Sequence, residues 1–300
     1  MYNEQLGKRG GILSLLLENV DFKEELRKTN KKKRGRPYIY PDSLVKIGFD
    51  LKCLYHLGYR QLKNYMEDLS SIFGFAIPNF RTFWWRIDNL GRQELKFGCS
   101  LQKIDVAVDS TGLKLANDGE YRSTKYSKRK VWAKMHANLS VGTKEALNIV
   151  VTKDNVGDSK KFKALLEPFK GKINSVRADK GYDTSKDFEY CKKNEIAAII
   201  PVKINANPSG KGARKNAVRE QLDIPPTHAR LNSFDKPKRR VRKQKKWKQK
   251  MRYGFRWVVE GFYSRYKRTF GEYLFSKKWK NIEKEVITKV NILNLFIVLR

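Results

Sequence analysis

Ile104-Asp105-Val106-Ala107-Val108-Asp109 is an apolar run that ends in a carboxylate, and its reading sets the architecture around it. Branched and small apolar residues next to a turn-prone segment predict a strand. Ser110-Thr111-Gly112 then predicts a tight turn, with Gly112 to Ala116 as the returning arm of a hairpin. Trp132 to Val141 and Glu145 to Thr152 alternate around Gly142-Thr143 and predict further strands. Asp158 or Ser159 caps a helix through Phe169, and Ile173 to Ala178 repeats the opening pattern, an apolar strand ending at Asp179. Thr184 or Ser185 caps a helix to Asn194, and Ile196 to Val202 reads as one more strand. Strands followed by alternating helices and strands predict an α/β unit, a mixed sheet flanked by helices.

Working outward toward the N-terminus, residues 1–29 read as one amphipathic helix. Lys31-Lys32-Lys33-Arg34-Gly35-Arg36-Pro37 follows, a dense basic run. As an extended arm, it would place Arg36 in a narrow A·T-rich minor groove, where negative potential concentrates; a solvated linker is the alternative. Residues 41–91 predict a succession of helices with clear punctuation. Asp42 or Ser43 caps the first, which Gly58 stops; Tyr59 to Ile72 forms the second; Pro78-Asn79 starts the third, Phe80 to Leu90. That layout is all-α and matches a helix-turn-helix reader, with Arg81, Thr82 and Arg86 exposed and Phe83, Trp84 and Ile87 supplying packing or stacking. A purely structural helical bundle is the competing reading.

Lysine and arginine number 65 against 31 acidic residues, a formal net charge of +34, so the surface calls for a polyanion, and nucleic acid is the default. Cys53, Cys99 and Cys191 lack paired spacing, which excludes a disulfide framework and a zinc module and fits a reducing compartment. The apolar runs near both ends are too short for a membrane span. These features predict a soluble protein of the cytoplasm, associated with the nucleoid and not with membranes. Beyond the sheet, residues 203–250 carry Pro208, Gly210, Gly212, Pro225, Pro226 and Pro237 and then a basic run, and read as an insertion or long loop suited to a nucleic-acid backbone. Trp247 within it has two readings, a base contact or an anchor on the core.

Carboxylates closing neighbouring strands supply oxygen ligands for Mg²⁺ or Mn²⁺, which makes Asp109 and Asp179 metal candidates. Tyr253, Arg256, Glu260 and Lys267 stand at offsets of three, seven and fourteen. On one helix they project within about 60° of each other, so Glu260 can complete a metal site while Arg256 and Lys267 hold phosphates. His136, on a strand, either reaches that site or packs in the core.

These residues resemble the Tyr-x2-Arg-x3-Glu-x6-Lys signature of insertion-sequence DDE transposases, matched here at every position. Val-Asp-Ser-Thr around Asp109 and Ala-Asp-Lys-Gly-Tyr-Asp around Asp179 are similar to that family's blocks. The resemblance implies an RNase H-like catalytic core, which the strand order also suggests, with Asp109, Asp179 and Glu260 catalytic and holding two Mg²⁺ ions, Mn²⁺ serving as well. It further implies binding to terminal inverted repeats, cleavage at element ends, joining of the 3′ ends to target DNA, and assembly as a homo-oligomer on double-stranded DNA. Tyr253, Arg256, Lys267, Arg36, Arg81, Arg86 and Trp247 are the candidate DNA contacts. The expected division is a DNA-binding region over 1–98 and a catalytic domain over 99–300, with the basic insertion before the last catalytic helix. A catalytically silent domesticated DNA-binding protein and a host nuclease of the same fold are the alternatives.

Overall fold

The computed structural model describes residues 11–17, 20–70, 74, 76–91, 94–98, 102–116, 132–208, 211–224 and 237–298. In chain order come helices α1 (Ile12–Leu17), α2 (Phe22–Asn30), α3 (Asp42–Tyr55), α4 (Tyr59–Asp68) and α5 (Phe80–Asn89). Strands β1 (Ile104–Leu115), β2 (Trp132–Ser140) and β3 (Ala146–Lys153) precede α6 (Ser159–Leu166), β4 (Ile173–Arg177), α7 (Ser185–Lys193) and β5 (Ala197–Ile199). Then follow α8 (Gly212–Leu222), α9 (Pro237–Lys250), α10 (Trp257–Phe270), β6 (Tyr273–Leu274) and α11 (Trp279–Val298). The chain forms two compact units: residues 1–94 with 268–271 and 275–300, and residues 95–267 with 272–274. In this division the last helix, α11, groups with the first unit and not with residues 95–267.

In the first unit the expected N-terminal helix is split, because Asp21 accepts the Glu24 amide at 2.9 Å and caps a new helix, α2. Neither expected cap serves α3; Glu25 on α2 instead takes the amides of Asp42 (3.0 Å) and Ser43 (3.2 Å). His56 ends α3 in the left-handed region at φ 55°, and Gly58 opens α4, its amide donating to Gln61 Oε1 at 2.8 Å. Asn79 caps α5 as expected, through the Arg81 amide. Leu44, Leu51, Leu62, Met66, Phe83 and Ile87 form the buried core. Gly48 lets these helices approach: a Cβ there would lie 2.7 Å from the Phe83 ring and 2.9 Å from the Met66 sulfur.

Helix α11 packs on α3 and carries charge into this core. Lys289 is fully buried and donates to Glu285 at 2.8 Å, while Glu285 also accepts the Phe275 and Ser276 amides. Burial alone would raise the Glu285 carboxyl; Lys289 and Ser276 outweigh it and hold it below its ordinary 4.5. Lys284 donates to the carbonyls of Ile87 (2.9 Å) and Asp88 (3.0 Å), satisfying the end of α5. Hydrogen bonds from Lys280, Lys278 and Asn281 keep the Asp88 carboxyl well below the usual range.

The second unit is built on a mixed sheet of order β3-β2-β1-β4-β5. β1 pairs antiparallel with β2, and β2 with β3, while β1–β4 and β4–β5 are parallel. β6 adds to the far end of β1, at Lys114 and Leu115. The hairpin expected at Ser110-Thr111-Gly112 does not form. Those residues continue β1 because each finds a partner on β2: His136, Met135 and Lys134. Ladder bonds over twelve residues outweigh a local turn preference. Val106, Val108, Phe162, Leu166, Val176, Tyr182 and Ile200 join strands to α6 and α7 in one core.

The segment over 203–250 is not one long loop: it contains α8 and α9, and residues 225–236 lie outside the described part. Asp183 clamps α8 by accepting from Arg214 Nε (2.7 Å) and Nη2 (2.9 Å). Gln244 donates to the Val202 carbonyl at 2.7 Å and holds α9. Cys99 and residues 117–131 also lie outside the described residues. Among the described residues, no helix is long and apolar enough to cross a membrane.

Candidate active site

Asp109 lies within β1, not at its end. Pairing with β4 stops at Ala107–Arg177 and pairing with β6 begins at Lys114, so among the described residues this stretch of β1 has no strand on that side. The chain leaving β4 passes through Asp179, whose charge reaches Asp109, and the turn Tyr253–Arg256 just before α10 contacts β1. Buried Tyr263 on α10 donates its hydroxyl to the Asp109 carbonyl at 2.7 Å and so fixes helix against strand.

Tyr253, Arg256 and Glu260 do not share one α-helix. Tyr253–Arg256 forms a 3₁₀ turn, entered through Arg252 at φ 49°, and α10 begins at Trp257. The three still converge. Arg256 Nη1 donates to Asp109 Oδ2 at 2.7 Å, Nη2 donates to Glu260 Oε1, and the guanidinium lies 6.0 Å from the Tyr253 ring centre. Burial raises the Asp109 carboxyl; the Ser110 amide and Arg256 pull it down, Asp179 and Asp158 push it up, and the balance stays above its ordinary value. Burial opposes the charge of Arg256, but Tyr253, Asp109 and Glu260 outweigh it.

Asp179 caps the 3₁₀ turn Lys180–Tyr182, its Oδ1 accepting the Gly181 amide at 2.8 Å. A Cβ at Gly181 would stand 2.9 Å from that oxygen, so glycine leaves the carboxylate its place. Lys267 is engaged elsewhere, 3.3 Å from Glu272, which also pairs with Lys114 at 2.9 Å.

His136 is fully buried, with Nε2 2.9 Å from Thr152 Oγ1, and burial lowers its pKa to about 4: it is a packed histidine. Trp247 is buried, with its Nε1 donating to Glu220 at 3.2 Å, as an anchor on the core would be.

Three other candidates lie in the first unit. Arg86 is not exposed for base reading: it donates to the Tyr40 carbonyl at 2.8 Å and pairs with Asp42. Arg81 is exposed, as are Trp84 (47%) and Trp85 (58%), although packing is one of the two expectations for Trp84. Arg36 is exposed on a loop, not a free arm. Asn30 and Tyr38 close that loop with reciprocal hydrogen bonds of 2.9 and 2.8 Å, and Gly35 turns it at φ 84°.

Sequence reasoning missed Tyr263 and the Asp183–Arg214 clamp. Asp183 closes the quoted Ala-Asp-Lys-Gly-Tyr-Asp block, a cue for the clamp.

Carboxylate oxygens are suitable donors for a hard divalent cation, and a half-buried Asp109 with a raised pKa is ionised more readily beside positive charge. The residues present therefore fit such an ion. Among the described residues, however, no three of His, Cys, Asp or Glu gather as a metal-binding group, and the charge beside Asp109 and Glu260 is Arg256.

Residues 101–295 match a family profile described as Transposase DDE domain, and residues 8–118 match a second of the same description. The chain belongs to the DDE transposase family. An uncharacterized protein of Aquifex aeolicus (strain VF5) is 24% identical over 214 residues, 65% of each chain, so this chain spans about two thirds of that relative's length. Among solved structures, the piggyBac transposase synaptic complex with hairpin DNA is similar over 94% of this chain and 73% of its own, at 11% identity and TM-score 0.42. The Drosophila P element transposase strand transfer complex is similar over 94% and 71%, at 13% identity and TM-score 0.29. Both likenesses are shallow, and membership stands on the family profiles.

Proposed function

We propose that this protein is an insertion-sequence transposase that cleaves DNA at the ends of its element and joins the 3′ ends to target DNA. One observation carries the reading: Arg256 bridges Asp109 and Glu260, residues far apart in the chain, inside the segment that matches the family. The sheet order, antiparallel then parallel about β1, supports an RNase H-like core for it. Asp109, Asp179 and Glu260 would hold two divalent ions, Mg²⁺ or Mn²⁺. Such ions, when bound, stabilise attacking and leaving oxygens in an in-line displacement.

The chain's own groups orient this chemistry. Tyr263 holds β1 against α10, and Gly181 leaves room for the Asp179 carboxylate. Arg256 supplies a planar fork that suits a phosphate as well as a carboxylate. In the first unit, α3 to α5 support a helix-turn-helix reading, with Arg81 and Arg36 facing element ends and the basic surface steering DNA. Homo-oligomers on double-stranded DNA are part of the same proposal. Incubating the purified chain with duplexes carrying candidate element ends and Mg²⁺, then mapping products, tests it. Cleavage at the ends with joining is expected; cuts without joining would instead identify a nuclease, and binding without cuts a silent protein.

A further inference from the structure

We infer that Arg256 is the resident counter-ion of the carboxylate site, and that metal and DNA phosphate bind cooperatively because each requires Arg256 to leave Asp109 and Glu260. This rests on the proposed metal role of those two carboxylates. A single guanidinium spans both, at 2.7 Å from Asp109 Oδ2 and in contact with Glu260 Oε1. A divalent ion on the same oxygens would stand within a few ångström of that cation, and like charges at such range repel. Guanidinium and ion are thus alternative occupants.

Arg256 has a reason to be there. Asp109 is only one-fifth exposed, and a buried carboxylate without a counter-charge takes up a proton. It also has a way out, because Glu260 is 58% exposed and opens its side of the bridge to solvent. A DNA phosphate offers the guanidinium the same two-pronged partner that the carboxylates offer, in a less buried place. Phosphate capture then uncovers Asp109 Oδ2 and Glu260 Oε1. Linkage makes the effect mutual: if phosphate favours the ion, the ion favours phosphate equally.

The test is equilibrium Mn²⁺ binding to the full chain by electron paramagnetic resonance, with and without a short duplex. Wild type should bind Mn²⁺ weakly alone and about ten-fold more tightly with duplex, within the usual range of coupling. Arg256→Met should bind Mn²⁺ about ten-fold more tightly than wild type without DNA, and duplex should add little. Equal Mn²⁺ affinity for wild type and Arg256→Met without DNA, with Asp109→Asn abolishing binding, would overturn the coupling while leaving the metal site intact. Asp109→Asn with unchanged Mn²⁺ affinity would overturn the site assignment and the coupling together. Should Arg256→Met fail to fold, Arg256→Gln keeps hydrogen-bond donors without the charge and is judged by the same outcomes.

Discussion

Glu285 and Asp109 are both carboxylates withdrawn from solvent, one in each unit, and they have been shifted in opposite directions. Glu285 meets a buried lysine and two amides, and its pKa falls. Asp109 meets an arginine shared with Glu260 and the nearby charges of Asp179 and Asp158, and its pKa rises. The first arrangement is complete, every charge answered within its own unit. In the second, one guanidinium is shared between Asp109 and Glu260, and the charge of Asp179 also bears on Asp109, so a further cation would be welcome. In this pair, the direction of shift follows how fully each carboxylate is answered by its neighbours.

The sharpest way to break this contrast is to neutralise the second unit's carboxylates. Asp109→Asn, Asp179→Asn and Glu260→Gln should each abolish cleavage of element ends in Mg²⁺ without impairing DNA retention in a gel-shift assay. Asp109→Asn should be no less heat-stable than wild type at pH 7. A raised folded-state pKa contributes stability only at low pH, and that contribution is lost as pH rises through it. If any of the three variants retains near wild-type cleavage, the site assignment fails.

Next in size is Lys289→Met, which leaves Glu285 buried and unanswered and should lower stability by about 3–5 kcal/mol in denaturant titration. Arg86→Ala should likewise destabilise the first unit, without relaxing the choice of base pairs, because its partners are Tyr40 and Asp42. Acid sharpens the point. Glu285 is depressed, so its stabilisation is present above 4.5 and is lost as pH falls through the folded-state pKa. Wild type and Glu285→Gln should differ in melting temperature at pH 7 and converge toward pH 3.

The smallest effect expected is that of Trp247→Phe, which keeps the packing and removes the bond to Glu220. About 1 kcal/mol of stability should go, with duplex affinity unchanged in fluorescence anisotropy. A fall in affinity at constant stability would return Trp247 to the DNA surface.

Where residues carry local information, the sequence was legible. Apolar runs at Ile104–Asp109 and Ile173–Ala178 became paired strands, and the spacing of Arg256 and Glu260 brought both to Asp109. Misreadings arose where a distant partner decided the outcome. Ser110-Thr111-Gly112 has turn chemistry, yet β2 supplies a ladder. Proline and glycine between 203 and 250 suggested a loop, but Asp183 and Val202 hold the helices between them. Nothing in Trp279–Val298 names α3 as its partner, and no helical-face argument reveals that Tyr40 and Asp42 claim Arg86.

The home of α11 has a consequence for how the molecule is made. Residues up to 94 and those from 275 belong to one unit, with roughly 180 residues between them in the chain. At about 5–20 residues per second, the ribosome spends roughly 10–35 s on that interval. During it, the groove on α3, the Ile87 and Asp88 carbonyls and the Asp88 carboxylate all wait for a helix not yet synthesised. The second unit, whose residues up to 267 emerge first, can finish folding before its elder neighbour does. A nascent chain thus completes the unit proposed to recognise DNA only after the second unit has been synthesised.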